Sequence, residues 1–297
     1  MAFALAVAPH PARAELLTGL TTTGVLETFD SATPGTILTG VAVTGLQAGE
    51  TLLGIDRRPA TGEIYGLGST SRLYVINSTT GAATQVGSAG AFTLSGTAFG
   101  FDFNPTVDRI RVTSNAGQNL RLNPNDGTLA GTDTAANYAA GDPNAAATPR
   151  IVGSAYTNNF SGAVTTTLFV IDSNLDILAT QGGPGGIPSP NGGSLFTVGA
   201  LGFNTSDLVG FDLSGLTGAA FASLTGPTAS NSQLFTINLG TGAATLVGTI
   251  GGGVPLTGLT AAAVPEPSSL LLLGSGVLGV AVLRRRFRRM PSRARRT

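Results

Sequence analysis

The chain has no cysteine, no tryptophan and no lysine, and its one histidine is His10. Without Cys there is neither a disulfide framework nor a thiolate metal site, so stability must come from sheet pairing and core packing. Without His, Cys or Lys in the body, Ser-His-Asp and Cys-His catalysis, Schiff-base chemistry and His-ligated zinc are excluded. Charge is sparse as well, at 11% of 297 residues. From Glu15 to Val264 there are fifteen acidic residues against seven arginines, so the body is acidic and has no basic stripe for nucleic-acid phosphates. Eight of the sixteen arginines lie instead between Arg284 and Arg296.

What the chain has is glycine, 43 residues of it, with Thr, Ser, Asn and Ala around a 42% apolar content that can bury a core. This balance favours many short strands joined by tight turns, an all-β body. The segment Leu73-Tyr-Val-Ile76-Asn77-Ser-Thr-Thr80-Gly81-Ala-Ala-Thr84-Gln-Val86-Gly87 recurs as Leu234-Phe-Thr-Ile237-Asn238-Leu-Gly-Thr241-Gly242-Ala-Ala-Thr245-Leu-Val247-Gly248. Looser copies begin at Leu26, Asn119 and Leu168, the spacing being forty-some residues except where Gly182 to Gly193 inserts a loop. A second element, Gly-x-Asp, occurs at Gly54-Ile-Asp56, Gly100-Phe-Asp102 and Gly210-Phe-Asp212.

A period of this size with about four short strands per unit is that of a β-propeller blade, and no 3.6-residue apolar rhythm competes with it. The expected fold is a β-propeller-like ring of about five blades over 15–263, closed by a strand around Leu256 to Ala263 pairing with strands around Leu16 to Asp30. Six blades or an irregular β-sandwich are the alternatives. Alternation in Glu63 to Leu67 and Arg109 to Val112 predicts strands with one solvated face, and Thr80-Gly81, Asp126-Gly127 and Thr241-Gly242 predict turns.

The two ends differ from the body. Residues 1–14, a short apolar run before an Ala-x-Ala-like site, read as the remnant of a signal peptide whose basic n-region is missing, as if the start codon were placed too late. Near the other end Val264-Pro265-Glu266-Pro267-Ser268 precedes an uncharged apolar stretch, 269–283, and then Arg284, Arg285, Arg286, Arg288 and Arg289. About sixteen apolar residues rise about 24 Å as a helix, and snorkelling arginines close the gap to a ~30 Å hydrocarbon core. Arginines on one flank hold that flank in the cytoplasm and place the body on the far side. A plain membrane anchor is the alternative reading, and 290–297 is a disordered basic tail.

The order of Pro-Glu-Pro motif, apolar helix and Arg cluster resembles the PEP-CTERM sorting signal of Gram-negative bacteria. The resemblance implies an inner-membrane intermediate cut by an exosortase near Pro265-Glu266-Pro267, with the body then released or transferred to the cell surface. The body, through Glu50 to Pro59, Ser95 to Arg111, Gln118 to Pro124 and Tyr138 to Asp142, resembles the bacterial domain-of-unknown-function family 4394, which implies propeller-like repeats and lends no activity.

The chemistry left to the body is that of carboxylates, hydroxyls and arginines. Asp56, Asp102 and Asp212 recur at equivalent repeat positions, which favours strand-end residues accepting N–H bonds from the following turn over paired carboxylates for glycoside hydrolysis. Calcium is the candidate cofactor, though none is firm: Asp102, Asn104 and Asp108 put three oxygen-bearing side chains in one turn, and Asp172, Asn174 and Asp176 repeat the alternate spacing of a calcium loop. The second set lacks the Gly and terminal Glu of an EF-hand, with Ile177 and Gly183 in those places, and ordinary Asx turns explain both. Asp108, Arg109, Arg111 and Arg121 form either a charged face near the channel or surface pairs. The expectation is a non-enzymatic, exported binding or structural module whose partner is an extracellular polysaccharide or another envelope protein. The competing expectation is a carboxylate enzyme, with or without calcium, acting on an extracellular glycan.

Overall fold

The computed structural model describes residues 14–262. Contacts divide the chain into 1–263 and 264–297. The signal-peptide remnant with His10, the sorting motif, the apolar stretch 269–283 and the basic tail lie outside the described residues. Among the described residues there is no α-helix and none long and apolar enough to cross a membrane.

The strands are, in order, β1 Leu16–Thr21, β2 Val25–Asp30, β3 Ile37–Ala42, β4 Leu52–Arg57, β5 Ile64–Gly68, β6 Arg72–Ile76 and β7 Ala83–Val86; then β8 Phe99–Asn104, β9 Arg109–Ser114, β10 Asn119–Leu122, β11 Leu129–Thr132, β12 Asn137–Tyr138, β13 Ile151–Tyr156 and β14 Leu168–Asp172; and last β15 Ile177–Gln181, β16 Ser194–Ala200, β17 Val209–Leu213, β18 Ala220–Leu224, β19 Gln233–Ile237, β20 Ala244–Thr249 and β21 Leu256–Ala261. They form five antiparallel blades, running outward from the axis as β21-β1-β2-β3, β4-β5-β6-β7, β8-β9-β10-β11, β13-β14-β15-β16 and β17-β18-β19-β20. The first blade is built from both ends of the body: β21 pairs with β1, Leu17 opposite Ala261 and Gly19 opposite Leu259. This is the expected closure, and it ties the two ends of the body into one blade.

The recurrent apolar segment is the third strand of its blade in β2, β6, β10 and β19. In the fourth blade the match at Leu168 is one strand out of register, because β14 is the second strand and β15 the third. That blade also departs in its outer edge, where β12 adds in parallel to β16 through Asn137 opposite Ser194. The inserted Gly-rich segment forms two short 3-10 turns, Pro184–Gly186 and Pro190–Gly192, between β15 and β16.

The one-solvated-face expectation does not hold. β5 is buried at every position, and in β9 all but Arg109 are buried, Arg111 being 2% exposed. The reason is the stacking of blades face to face, which covers both sides of the inner and middle strands. The glycine turns do appear where expected: Gly81 has φ 74° and a Cβ there would meet the Ala42 carbonyl oxygen at 2.0 Å, so both backbone conformation and contact with the preceding blade require Gly.

Four of the five blade interfaces are apolar. Leu20 and Leu26 pack with Leu52, Ile55 and Ile76 between the first and second blades. Leu67 and Leu73 meet Phe101, Val112 and Leu122 between the second and third. Val152 and Ile171 meet Phe211 and Ala222 between the fourth and fifth, and Phe221 and Leu234 meet Leu17 and Leu259 between the fifth and first. The apolar residues of the fourth blade's other cluster come from that blade and its approach segment alone, so the third–fourth interface is filled by different chemistry.

Candidate functional site

The innermost strands β21, β4, β8, β13 and β17 surround the axis, and each carries a glycine facing it: Gly258, Gly54, Gly100, Gly153 and Gly210. These glycines let the strands approach closely. A Cβ on Gly210 would lie 2.6 Å from the Gly258 carbonyl carbon, and one on Gly100 would lie 2.3 Å from Ser154 Oγ. The void left between them is about 10 Å³, room for about one water. The axis is therefore a closed core at this level.

Two residues further along four of these strands sits a polar side chain that accepts a backbone N–H from the next blade. Asp56 accepts from Phe103 at 2.8 Å, Asp102 from Tyr156 at 3.0 Å, Asp212 from Ala261 at 2.7 Å, and Thr260 Oγ1 from Arg57 at 3.2 Å. The fifth seat holds Ala155, and the Leu213 N–H that it would serve donates to Asp212 instead, at 2.6 Å. The acceptors thus stitch one blade to its neighbour, not to the turn that follows them, which corrects the sequence-based expectation of a local turn role. Adjacent inner strands share no sheet pairing, and these bonds satisfy backbone donors that would otherwise be buried alone.

The three aspartates converge. Each offers a carboxylate oxygen within 4.8 Å of the others, and all three are at most 1% exposed. Asp56 also accepts from the Thr260 hydroxyl at 3.1 Å and Asp212 from Asn159 at 3.2 Å, whereas Asp102 Oδ2 has no partner. Burial first, and repulsion between the carboxylates second, raises Asp56 and Asp102 well above the usual range. Burial pushes Asp212 up to about 6, partly offset by the Ala261 N–H. Convergence in an open pocket would suit glycoside hydrolysis, but this closed axis has no room for a sugar ring.

The third–fourth interface is polar. Arg111, from β9, donates to Tyr156 Oη at 3.2 Å, Asn119 Oδ1 at 2.7 Å, Asp133 Oδ2 at 2.6 Å and Asn191 Oδ1 at 2.6 Å. Arg121 grips the same Asp133 through two bonds of 2.8 Å. Burial alone would raise Asp133, but the two guanidinium groups outweigh it and hold the carboxyl below its ordinary range. Thr113 and Ser154 share a hydroxyl bond of 2.8 Å across the same interface.

Above this network opens a cleft of about 420 Å³, lined by Arg109, Arg111, Arg121, Asn104, Asn191 and Tyr156, among others, with exposed Val107 and Val164 at its rim. Three of the seven body arginines thus line one cleft of an acidic body. Arg111 and Arg121 share one carboxylate, and Arg109 donates to the carbonyls of Val107 and Asp108 with no carboxylate in salt-bridge range among the described residues. The cleft therefore carries surplus positive charge.

The two oxygen-rich turns are engaged otherwise. Asp102 belongs to the axis, Asn104 Oδ1 caps the turn through Thr106 N at 2.9 Å, and Asp108 is clamped by Arg58. Asp172 is saturated by Tyr138 Oη at 2.6 Å and the N–H groups of Arg150, Asn174 and Leu175. Asn174 donates to the Thr148 carbonyl and Asp176 accepts from Thr205 N. Of the charged face, Arg109, Arg111 and Arg121 come together, while Asp108 turns to Arg58. Sequence reasoning missed Asp133 and Asn191, which sit outside the repeat copies and carry no motif, and also Asn119, which opens a repeat copy but was not read as a polar partner.

A family model described as Domain of unknown function (DUF4394) matches residues 25–260, and one described as a PEP-CTERM protein-sorting motif matches 263–286. No curated protein sequence matches the chain. Among solved structures, a chain of the nidogen/laminin complex is similar at 12% identity and TM-score 0.45, covering 84% of this chain and 98% of that one. A structural-genomics protein of unknown function from Bacteroides thetaiotaomicron follows at 14% identity and TM-score 0.46, covering 78% and 57%. Hydrazine synthase of Kuenenia stuttgartiensis follows at 12% and 0.39, covering 70% and 52%. The chain spans about half to three fifths of the latter two. The sorting motif implies exosortase-dependent export, and the body, matched over nearly its whole length, places this chain in the DUF4394 family.

Proposed function

We propose that this is an exported envelope or matrix protein whose propeller binds an acidic extracellular polysaccharide in the cleft between the third and fourth blades. The observation that carries this reading is the clustering of Arg109, Arg111 and Arg121 in one cleft of an otherwise acidic body. Arginine meets a carboxylate through two parallel N–H bonds, as a uronate would require. Asn104, Thr106, Thr165, Thr166, Ser189 and Asn191 supply donors and acceptors for sugar hydroxyls, and the exposed Val107 and Val164 offer apolar contact to C–H faces. In this reading the stretch 269–283 anchors the chain in the inner membrane until an exosortase cuts near Pro265-Glu266-Pro267, and the body then reaches the cell surface or its matrix.

Titration of the protein with a polyuronate and with a neutral glucan of the same length tests the reading. Binding of the polyuronate alone, weakening with salt, is expected. Arg109→Ala should weaken it by about tenfold or more while shifting stability by no more than about 0.5 kcal/mol, since Arg109 bonds only its own turn. Equal affinity for the two glycans, or an Arg109→Ala variant that binds as the parent does, would sink the idea.

A further inference from the structure

We infer that the carboxylates of Asp56, Asp102 and Asp212 form an axial site for one divalent cation, calcium by its size and ligand preference, which locks the five blades together. The inference is independent of the glycan reading, which concerns a different place in the fold.

Each aspartate spends one oxygen on the backbone of the next blade, so the carboxyl groups are fixed in position before any ligand arrives. One carboxylate oxygen from each lies within 4.8 Å of the others at the axis. Thr260 answers the second oxygen of Asp56, and the Leu213 N–H and Asn159 answer that of Asp212, but nothing answers Asp102 Oδ2, which belongs to a residue with no exposed surface. A buried polar atom without a partner is rare in a folded protein and points to something that belongs beside it. Its surroundings offer no compensating cation in contact. None of the three aspartates has a salt bridge among the described residues, and the Arg57 guanidinium, whose charge acts on Asp56 and Asp212, donates its bonds to the carbonyls of Ala261 and Gly62.

Oxygens within 4.8 Å of one another are spaced as ligands of one calcium ion are, since at about 2.3–2.6 Å from the ion no two of its ligands stand more than about 4.6–5.2 Å apart. Magnesium would need them at about 2.0–2.1 Å in near-octahedral order, which three carboxylates clamped by separate backbones cannot easily rearrange to give. The donor set is oxygen only, which suits a hard cation and not zinc or copper. The empty seat at Ala155 leaves the ring one side chain short, beside the aspartate whose oxygen is orphaned.

Because the glycine ring closes the axis, the ion is expected to enter during folding, not by diffusion into the finished ring. The test therefore uses refolding. Full-length protein in mild detergent is unfolded in denaturant with chelator, freed of metal, and refolded with calcium, with magnesium or with chelator alone. The calcium-refolded protein should retain one calcium per chain through gel filtration and melt about 5–10 °C above the chelator sample. Magnesium should leave the midpoint at the chelator value. Asp102→Asn, which keeps an oxygen for the Tyr156 N–H, should retain no calcium and show no shift, while Asp108→Asn, in the turn between β8 and β9, should retain calcium as the parent does.

The parent protein decides the matter even if Asp102→Asn fails to fold. No retained calcium together with equal midpoints in calcium and chelator overturns the site. A parent that responds equally to magnesium overturns the assignment to calcium, and retention by a folded Asp102→Asn overturns the ligand set.

Discussion

Two neighbouring interfaces of the same blade are built on opposite principles. The third blade presents Phe101, Val112, Leu120 and Leu122 to the second, and together with Leu67 and Leu73 they make a dry apolar seam. Toward the fourth it presents Arg111, Thr113 and Asn119, and there the seam is a hydrogen-bonded network around Asp133. Consecutive residues of β9 point to opposite faces, so Arg111 and Val112 alone show the two regimes side by side. The apolar seam is non-directional and closes completely, whereas the polar seam holds its groups at bonding distance and leaves an open cleft above them. A ligand site arises where packing is directional, and the propeller can host one without weakening its other four seams.

The contrast predicts how each seam fails. Arg111→Met would strand Asn119, Asn191 and the Tyr156 hydroxyl, and leave Asp133 with Arg121 alone. Breaking a buried pair in this way should cost toward the lower end of about 3–5 kcal/mol, read from denaturant midpoints. Leu67→Ala across the other seam should cost a similar amount, about 2–5 kcal/mol, but with no dependence on salt or pH. If both variants respond alike to pH, the distinction between the seams is wrong.

A smaller effect is expected in acid. The Asp133 carboxyl is held below its ordinary range in the folded protein, so its contribution is present above the unfolded carboxylate value of about 3.9 and disappears as pH falls through the folded value. The stability gap between the parent and Asp133→Asn should therefore be constant near neutrality and narrow below about pH 4. A gap that persists to pH 2 would show that Asp133 acts through packing. The smallest change is Thr113→Val, which leaves Ser154 Oγ without its cross-interface partner and should cost about 1 kcal/mol with native secondary structure retained.

Much of the architecture was legible in sequence. The near-identical segments at Leu73 and Leu234 mark the third strands of two blades, and the Gly-x-Asp elements mark three of the five inner strands. The fourth blade was misread because Leu168-Phe-Val-Ile171-Asp172 looks like a third strand but is a second one; its period is broken by β12 and by the loop from Gly182 to Gly193. The solvated faces were misjudged because period-two alternation reports which residues share a face and not whether another blade covers it.

The cleft was half legible. Arg109, Arg111 and Arg121 could be named from their spacing, but Asp133 and Asn191 reach Arg111 from 22 and 80 residues away, and no local pattern announces them. The oxygen-rich turns at Asp102 and Asp172 were plain in the sequence, yet Asp102 gives one oxygen to the Tyr156 N–H and leaves the other unpartnered, Asp108 goes to Arg58, and Asp172 goes to Tyr138 and backbone N–H groups.

By itself the sequence determined an all-β repeat, its closure by the last strand, the export motif, and the lack of Cys and Lys, because these follow from composition and from order along the chain. Only the tertiary structure decided that Asp56, Asp102 and Asp212, drawn from positions 46 and 110 residues apart, meet at one sealed point with an oxygen left over. Equivalent positions in a repeat face a common axis only once the ring has closed, and closure is a property of all five blades together.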